Sequence, residues 1–408
     1  VPHQAAPLLY AKSSPMPDHE PHFGTRAADG VRPPPPTNAP ARLPIYQSAG
    51  WSFRDLDEVD AIYDRLVPGG IYGSDGNPNL LALEATLASL EDAPAALATS
   101  AGMAALAAAF LSILSAGERV VAARELYGNT IRLLDHLARF GITAEYVDAT
   151  DLAAVERALG SGARLVLVET ISNPRLRVAD LPELARAAHA RGALLLSDNT
   201  LAGPYHCRPL AHGVDIVMES ATKFLGGHQD IVIGALAASE ELIQPARTFA
   251  VRTGMVPGAF DAWLTSRSIE TLEVRAQREA SNAFALAEWL ERHAKVRRVH
   301  YPGLPSHPDH AVARRLLDRG FGAMVSFELD GGVTAVNAFL AGLRRIPLVL
   351  SFGGAQTTLS HPAKSSHRGL SEETRRALGI HDGLLRMSVG VEAFADLQAD
   401  LDAALGAL

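Results

Sequence analysis

Glu219-Ser220-Ala221-Thr222-Lys223-Phe224-Leu225-Gly226-Gly227-His228 decides how this chain is read. An apolar run, Val214 to Met218 with only Asp215 polar, leads into it and has the character of a buried strand. A lysine then stands where that strand emerges, between hydroxyl residues and paired glycines. A buried ammonium is costly unless paired or neutralised. Desolvation favours the neutral amine, which attacks carbonyls. Ser220 and Thr222 share one side of an extended segment. Two hydroxyls beside a reactive amine suit a phosphorylated aldehyde: the hydroxyls hold the phosphate and the amine bonds the aldehyde carbon. A surface lysine beside a Gly-Gly turn fits the decapeptide equally well, because short motifs recur by chance.

The upstream stretch Ala193-Leu194-Leu195-Leu196-Ser197-Asp198-Asn199-Thr200 separates the two readings. It is an apolar strand ending in a carboxylate. Asp198 lies 25 residues before Lys223, room for a helix and a return strand. Pyridoxal phosphate needs a carboxylate against its ring nitrogen to keep that nitrogen protonated. Taken alone, Asp198 reads better as a helix N-cap or turn residue.

Together these stretches resemble the Cys/Met-metabolism family of pyridoxal-phosphate enzymes. That family includes cystathionine γ-synthase, cystathionine lyases, methionine γ-lyase and the O-acylhomoserine sulfhydrylases. The resemblance rests on Asp198-Asn199-Thr200, Pro209-Leu210, Gly213-Val214-Asp215-Ile216-Val217, Ser220 to Phe224 and Gly226-Gly227-His228, in that order. It runs from about Phe23 to the C-terminus. It implies an α/β chain of fold type I. A large domain with a seven-stranded, mostly parallel sheet would precede a smaller C-terminal α/β domain. The expected divisions are an extended arm over 1–62, the cofactor domain over 63–258 and the C-terminal domain over 259–408.

Composition agrees with a soluble globular protein. The 408 residues suffice for two cores, 48% are hydrophobic and 20% charged, and the net charge is −8 with no basic block. Nucleic-acid binding is therefore not the expected role. The single cysteine, Cys207, excludes an internal disulfide and reads as a loop or core residue. The longest apolar run, Ala101 to Leu114, is too short to cross a bilayer. Residues 1–15 lack the basic start and apolar segment of a signal peptide, and Met16 is the expected native start. The expected compartment is cytoplasmic.

Along the chain, Val1 to Pro44 reads as an extended, proline-rich arm, with Pro33-Pro34-Pro35-Pro36 at its centre. Ile71 to Asn79 reads as a loop, and Leu80 to Leu90 as a helix with Leu83, Leu87 and Leu90 on one face. The resemblance implies that Tyr72 reaches the cofactor phosphate of a neighbouring subunit, making the active unit a dimer within a homotetramer. Relatives carry an arginine where Ser74 stands. The charge-assisted hydrogen bond so lost is worth about 1.5–3 kcal/mol.

Ala95 to Thr99 reads as a strand, followed by Ser100-Ala101-Gly102-Met103 opening a helix, whose free N–H groups suit a phosphate. The resemblance places Gly102 and Met103 there. Arg119 to Ala123 is the next strand, leading to Tyr127-Gly128-Asn129-Thr130. An aromatic at a strand end packs or stacks on a planar ring, and the resemblance lays Tyr127 over the pyridine. Asn129 departs from the family's glycine or cysteine and is a candidate for altered substrate choice. Further strands are expected at Thr143–Val147, Leu165–Glu169, Leu194–Asp198, Asp215–Met218 and Ile231–Ala235, with helices between. Asn173, after the Leu165 strand, is implied to lie near the cofactor's ring oxygen.

Beyond Ala259, Thr271 to His293 reads as a long helix with Arg275 and Arg278 on its polar side. Val296–Tyr301, Met324–Leu329 and Leu384–Val389 read as strands, and Ala395–Leu405 as the closing helix. Arg386, in an otherwise apolar strand, needs an anionic partner, and its planar fork suits a carboxylate. By resemblance that anion is the substrate α-carboxylate, with Ser351 assisting. Lys223 would hold the cofactor and then move the Cα proton, with Asp198 charging the ring. The first reading is elimination of a β- or γ-substituent by a C–S lyase. The alternative is γ-replacement on an O-acylhomoserine, which Glu270-Thr271-Leu272 keeps open. A remote alternative is a non-catalytic binding protein. No metal is expected.

Overall fold

The structure, a computed structural model, describes residues 22–29 and 37–408. The readings of Met16, of the four consecutive prolines and of the N-terminal arm over 1–21 and 30–36 lie outside those residues. The chain forms two compact units, Val1–Pro44 and Ile45–Leu408. In the first, Phe23–Asp29 is helical rather than extended. This seven-residue stretch contains no proline and two consecutive alanines, good helix formers, so local propensity overrides the proline-rich surroundings.

The second unit holds two sheets. Strands β1 (Ala95–Thr99), β2 (Arg119–Ala123), β3 (Thr143–Val147), β4 (Leu165–Glu169), β5 (Leu194–Asp198), β6 (Ile216–Glu219) and β7 (Gly234–Ala238) form the first. Their spatial order is β1-β7-β6-β5-β4-β2-β3. Neighbours from β6 through β3 are parallel, and β7 runs antiparallel to both β1 and β6. Parallel strands buried on both faces need near-continuous apolar sequence, and β4, Leu-Val-Leu-Val-Glu, is buried along its whole length. The helix Gly102–Ile113 is apolar nearly all round and lies within the same core.

The second sheet is antiparallel: β8 (Val296–His300), β9 (Met324–Leu329), β10 (Thr358–Ser360) and β11 (Leu384–Ser388), in the order β10-β11-β9-β8. Its core is separate, built by residues such as Phe327, Phe339, Leu385 and Leu401. The closing helix spans Phe394–Gly406.

Two expectations change. The last strand of the large sheet begins at Gly234, three residues later than Ile231. Ile233 is held elsewhere: its carbonyl accepts from Thr222 N–H at 3.0 Å and its N–H donates to Thr222 Oγ1 at 2.9 Å. Ile231 to Ile233 therefore line the return from the lysine loop before the sheet starts. Arg275 is not on a polar face. It is 6% exposed, and its guanidinium donates to the carbonyls of Phe224 (2.8 Å), Leu225 (3.3 Å) and Ser268 (3.1 Å). Helical spacing assigns a face but does not reveal that a neighbouring loop with unsatisfied carbonyls covers it.

Candidate active site

Strands β1, β2, β4, β5 and β6 all point one way, so their C-terminal ends share an edge. Ligands in open α/β sheets bind at that edge. A cavity of about 500 Å³ opens there. Its wall includes Gly102 and Met103 after β1, Tyr127 after β2, Asn173 after β4, Asp198 at the end of β5, and Ser220, Thr222 and Lys223 after β6. Arg386 enters from the second sheet. Nine of the residues singled out in the sequence thus converge on one space.

Lys223 Nζ donates to Ser351 Oγ at 2.8 Å. The Phe352 ring lies under two cations: Lys223 Nζ is 4.7 Å and the Arg386 guanidinium carbon 4.8 Å from its centroid. Burial, with the charge of Arg386 adding to it, lowers the Lys223 amine to about 8. This is the direction that makes a lysine a nucleophile near neutrality. Gly353, at φ +83°, lets the Ser351–Phe352 segment run against the Lys223 backbone, where a Cβ would come within 2.9 Å of the lysine Cα.

Arg386 is buried, and burial lowers it to about 10, so it stays charged at neutral pH. Its Nη1 donates to Asn173 Oδ1 at 2.9 Å. Its buried Nε has no acceptor among the described residues. A guanidinium with a spare buried donor at a cavity wall is an anion-binding group.

Asp198 accepts from the Thr200 N–H at 3.0 Å, and burial raises its carboxyl above the usual range. A positive partner inside the cavity would reverse that rise. Glu169 stands beside it in register on β4. Its carboxyl accepts from Tyr127 N–H at 2.6 Å and Asn173 N–H at 3.2 Å. Burial, reinforced by Asp198, pushes it well above its ordinary value. Asn129 Nδ2 donates to Tyr127 Oη at 2.9 Å, and Arg132 Nη1 donates to Asn129 Oδ1 at 3.2 Å.

The remaining sequence-named residues lie outside this group. Tyr72 is 60% exposed and, with Ser74, is not among the residues lining the cavity. Ser351 is also not a lining residue but reaches Lys223 directly. Cys207 is buried and burial pushes its thiol up, which fits a core cysteine. The sequence reading gave no site role to Glu169, Thr200 or Phe352, and placed Arg275 on a polar face. Only Glu169 had a usable signal, a carboxylate closing an apolar strand as Asp198 does.

These residues suit pyridoxal phosphate. The lowered Lys223 amine has the chemistry to bond its aldehyde, and the Asp198 carboxylate would suit its ring nitrogen. Tyr127 offers a ring face. The N-terminus of the Gly102–Ile113 helix with Ser220 and Thr222 offers phosphate donors. The group itself would supply the electron sink at the substrate Cα.

A family model described as Cys/Met metabolism PLP-dependent enzyme matches residues 25–406. The chain is 40% identical over 367 residues to an L-methionine γ-lyase of Fusobacterium nucleatum subsp. polymorphum, covering 89% of this chain and 93% of that protein. It is 40% identical over 365 residues to an O-succinylhomoserine sulfhydrylase of Pseudomonas aeruginosa, covering 89% and 90%. A crystal structure of cystathionine γ-synthase from Xanthomonas oryzae pv. oryzae, in complex with aminoacrylate and cysteine, superposes with a TM-score of 0.86 at 40% identity, covering 90% and 93%.

Proposed function

This chain belongs to the Cys/Met-metabolism family of pyridoxal-phosphate-dependent enzymes, and on that premise we propose that it expels the β- or γ-substituent of a sulfur-containing amino acid. The observation that carries this is Lys223: a lowered amine on the edge that bears Asp198, 2.8 Å from Ser351 and sharing the Phe352 ring with Arg386. The bound cofactor supplies stabilisation of negative charge at Cα. Arg386, with Asn173 holding its fork, binds the substrate α-carboxylate. Lys223 takes the Cα proton as the neutral amine and returns it as the ammonium. Asp198 keeps a positive ring nitrogen in place. Tyr127 Oη accepts from Asn129, which leaves its own proton for the departing heteroatom. Gly102, Met103, Ser220 and Thr222 hold the phosphate.

A second reading, γ-replacement on an O-acylhomoserine, has support from the relatives named O-succinylhomoserine sulfhydrylase and cystathionine γ-synthase. Both readings share the steps at Cα. Elimination remains the first. We place the divisions at 62 and 258, and the enzyme in the cytoplasm as a homo-oligomer in which Tyr72 serves a neighbouring subunit's phosphate. The deciding experiment incubates the holoenzyme with L-cystathionine, L-methionine, L-homocysteine and O-acylhomoserines, with and without added thiol. Ketoacid, ammonia and released thiol without an added nucleophile support elimination. Thioether product only with added thiol supports replacement. No reaction with any of these overturns both.

A further inference from the structure

We propose that Glu91 and Glu219 share a proton directly behind the cofactor site and act as a positioning pair that fixes the ends of β5 and β6 to each other. This rests on the cofactor reading above and concerns two residues that the reaction itself does not use.

Side chains alternate between the two faces of a strand. Asp198 and Thr200 at the end of β5, and Met218 and Ser220 at the end of β6, line the cavity, whereas Asn199 and Glu219 between them do not. Backbone bonds join the two ends. Asn199 N–H donates to the Met218 carbonyl at 2.8 Å, and Ser220 N–H donates to Thr200 Oγ1 at 2.8 Å. On the face away from the cavity, Asn199 Nδ2 donates to Glu219 Oε1 at 3.1 Å and to the Cys207 carbonyl at 2.9 Å. Glu91, the residue that ends the helix Pro78–Leu90, brings its carboxyl into hydrogen-bonding contact with that of Glu219. Glu91 is 2% exposed and Glu219 4%.

This cluster is rich in acceptors and poor in donors. Neither Glu91 oxygen, nor Asn199 Oδ1, meets a hydrogen-bond donor among the described residues. The nearby cation, Arg208, is already paired with Asp92 and is partly exposed. Asp198 adds negative charge on the Glu219 side, and the buried Cys207 thiol is pushed up and stays neutral. The helix Pro78–Leu90 also turns its negative end toward Glu91. Two buried carboxyls in contact cannot both ionise at neutral pH, so one keeps its proton and donates it to the other. Burial raises both, Glu91 to about 8, and the charge of Glu91 adds to the rise at Glu219. With the proton in place, the strand ends that bear Asp198 and Ser220 to Lys223 are tied across their rear face. Without it, like charges push Glu219 away from Glu91, and Ser220 moves with Glu219.

The test reads the proton first on the folded chain and then on the cofactor. In the unfolded chain these carboxyls ionise near 4.5, so above that pH folding binds a proton, and the stability it brings is lost as pH rises through about 8. Urea denaturation of the holoenzyme from pH 5 to 8 should show the wild-type unfolding constant rising by about tenfold more per pH unit than that of Glu91→Gln/Glu219→Gln, whose amides keep the shape and do not titrate. Parallel curves overturn the proposal. From pH 8 to 10, release of bound cofactor, followed by its visible band, should accelerate more in the wild type than in the double variant. Equal acceleration shows that the pair does not position the site and overturns the proposal as well. If the double variant does not fold, Glu219→Gln takes its place with the same outcomes. Neither readout uses a substrate, so failure here is distinguishable from failure of the proposed reaction.

Discussion

Lys223 answers two opposing demands, a buried position and a reactive amine. At pH 7 an ordinary lysine is far less than 1% neutral, whereas one lowered to about 8 is roughly 10% neutral. The neutral form bonds the aldehyde, so capture of pyridoxal phosphate by the apoprotein should speed up as pH rises and level off above about 8. Stopped-flow absorbance across pH 6 to 10 checks this, and a midpoint near 10 would contradict the lowered amine. Lys223→Ala should hold no covalent cofactor and turn over no substrate. Asp198→Ala should separate cofactor retention from chemistry. Breaking a buried charge pair from one side costs about 3–5 kcal/mol, or roughly 150- to 5,000-fold if it falls on one step. Exchange of the substrate Cα proton into deuterium oxide should slow by that order, with a smaller loss of bound cofactor. Wild-type exchange would remove Asp198 from the mechanism.

The loop after β6 keeps its shape through a helix distant in sequence. Arg275, in the helix Leu272–Arg292, donates to the Phe224 and Leu225 carbonyls that directly follow Lys223. Burial lowers the guanidinium and raises neighbouring Glu279 to about 7. Arg275→Ala strands buried carbonyls at about 1–3 kcal/mol each. It should lower the thermal midpoint of the apoprotein by several degrees and slow cofactor capture, and Arg275→Lys should recover part of both. Differential scanning fluorimetry with the capture assay measures the two together. An alanine variant equal to wild type in both would show that water satisfies those carbonyls.

For the whole molecule, the exposed Tyr72 matters most. It lies outside the cavity, its backbone paired in isolated bridges with Gly50 and Asp75. The proposed role of Tyr72 as a phosphate donor, with the side chain outside its own chain's cavity, calls for a site completed by a second copy. Mixing Lys223→Ala subunits with Tyr72→Phe subunits should then restore part of the activity that each lacks alone. Hybrid oligomers separated by affinity tag and assayed for turnover provide the measurement. Full activity in a monomer would exclude a shared site. Ser74, where the family resemblance implies an arginine, should make cofactor retention during turnover weaker than in Ser74→Arg, since one charge-assisted bond is worth about 10- to 150-fold. Dialysis with substrate and without added cofactor reads this directly.

Ser220-Ala221-Thr222-Lys223 and Asp198-Asn199-Thr200 carried both the fold and the core of the site, because each ends an apolar strand and its chemistry is local. Period and composition alone located β2, β4 and β5 to the residue, since buried parallel strands are near-continuous apolar runs. What depended on contacts across the fold was not legible. Arg275 carries the same charge on a polar or a covered face, and only the β6 loop folding over it makes it a structural donor. Phe352 is one more apolar residue until Lys223 and Arg386 arrive from two different sheets to share its ring. Ser351 read as a carboxylate ligand, and its 2.8 Å hydrogen bond to Lys223 was not legible in the sequence. Local order in the chain determines which strand ends carry reactive groups. Packing of one sheet against the other determines which of those groups meet, because their separations in sequence exceed any local pattern.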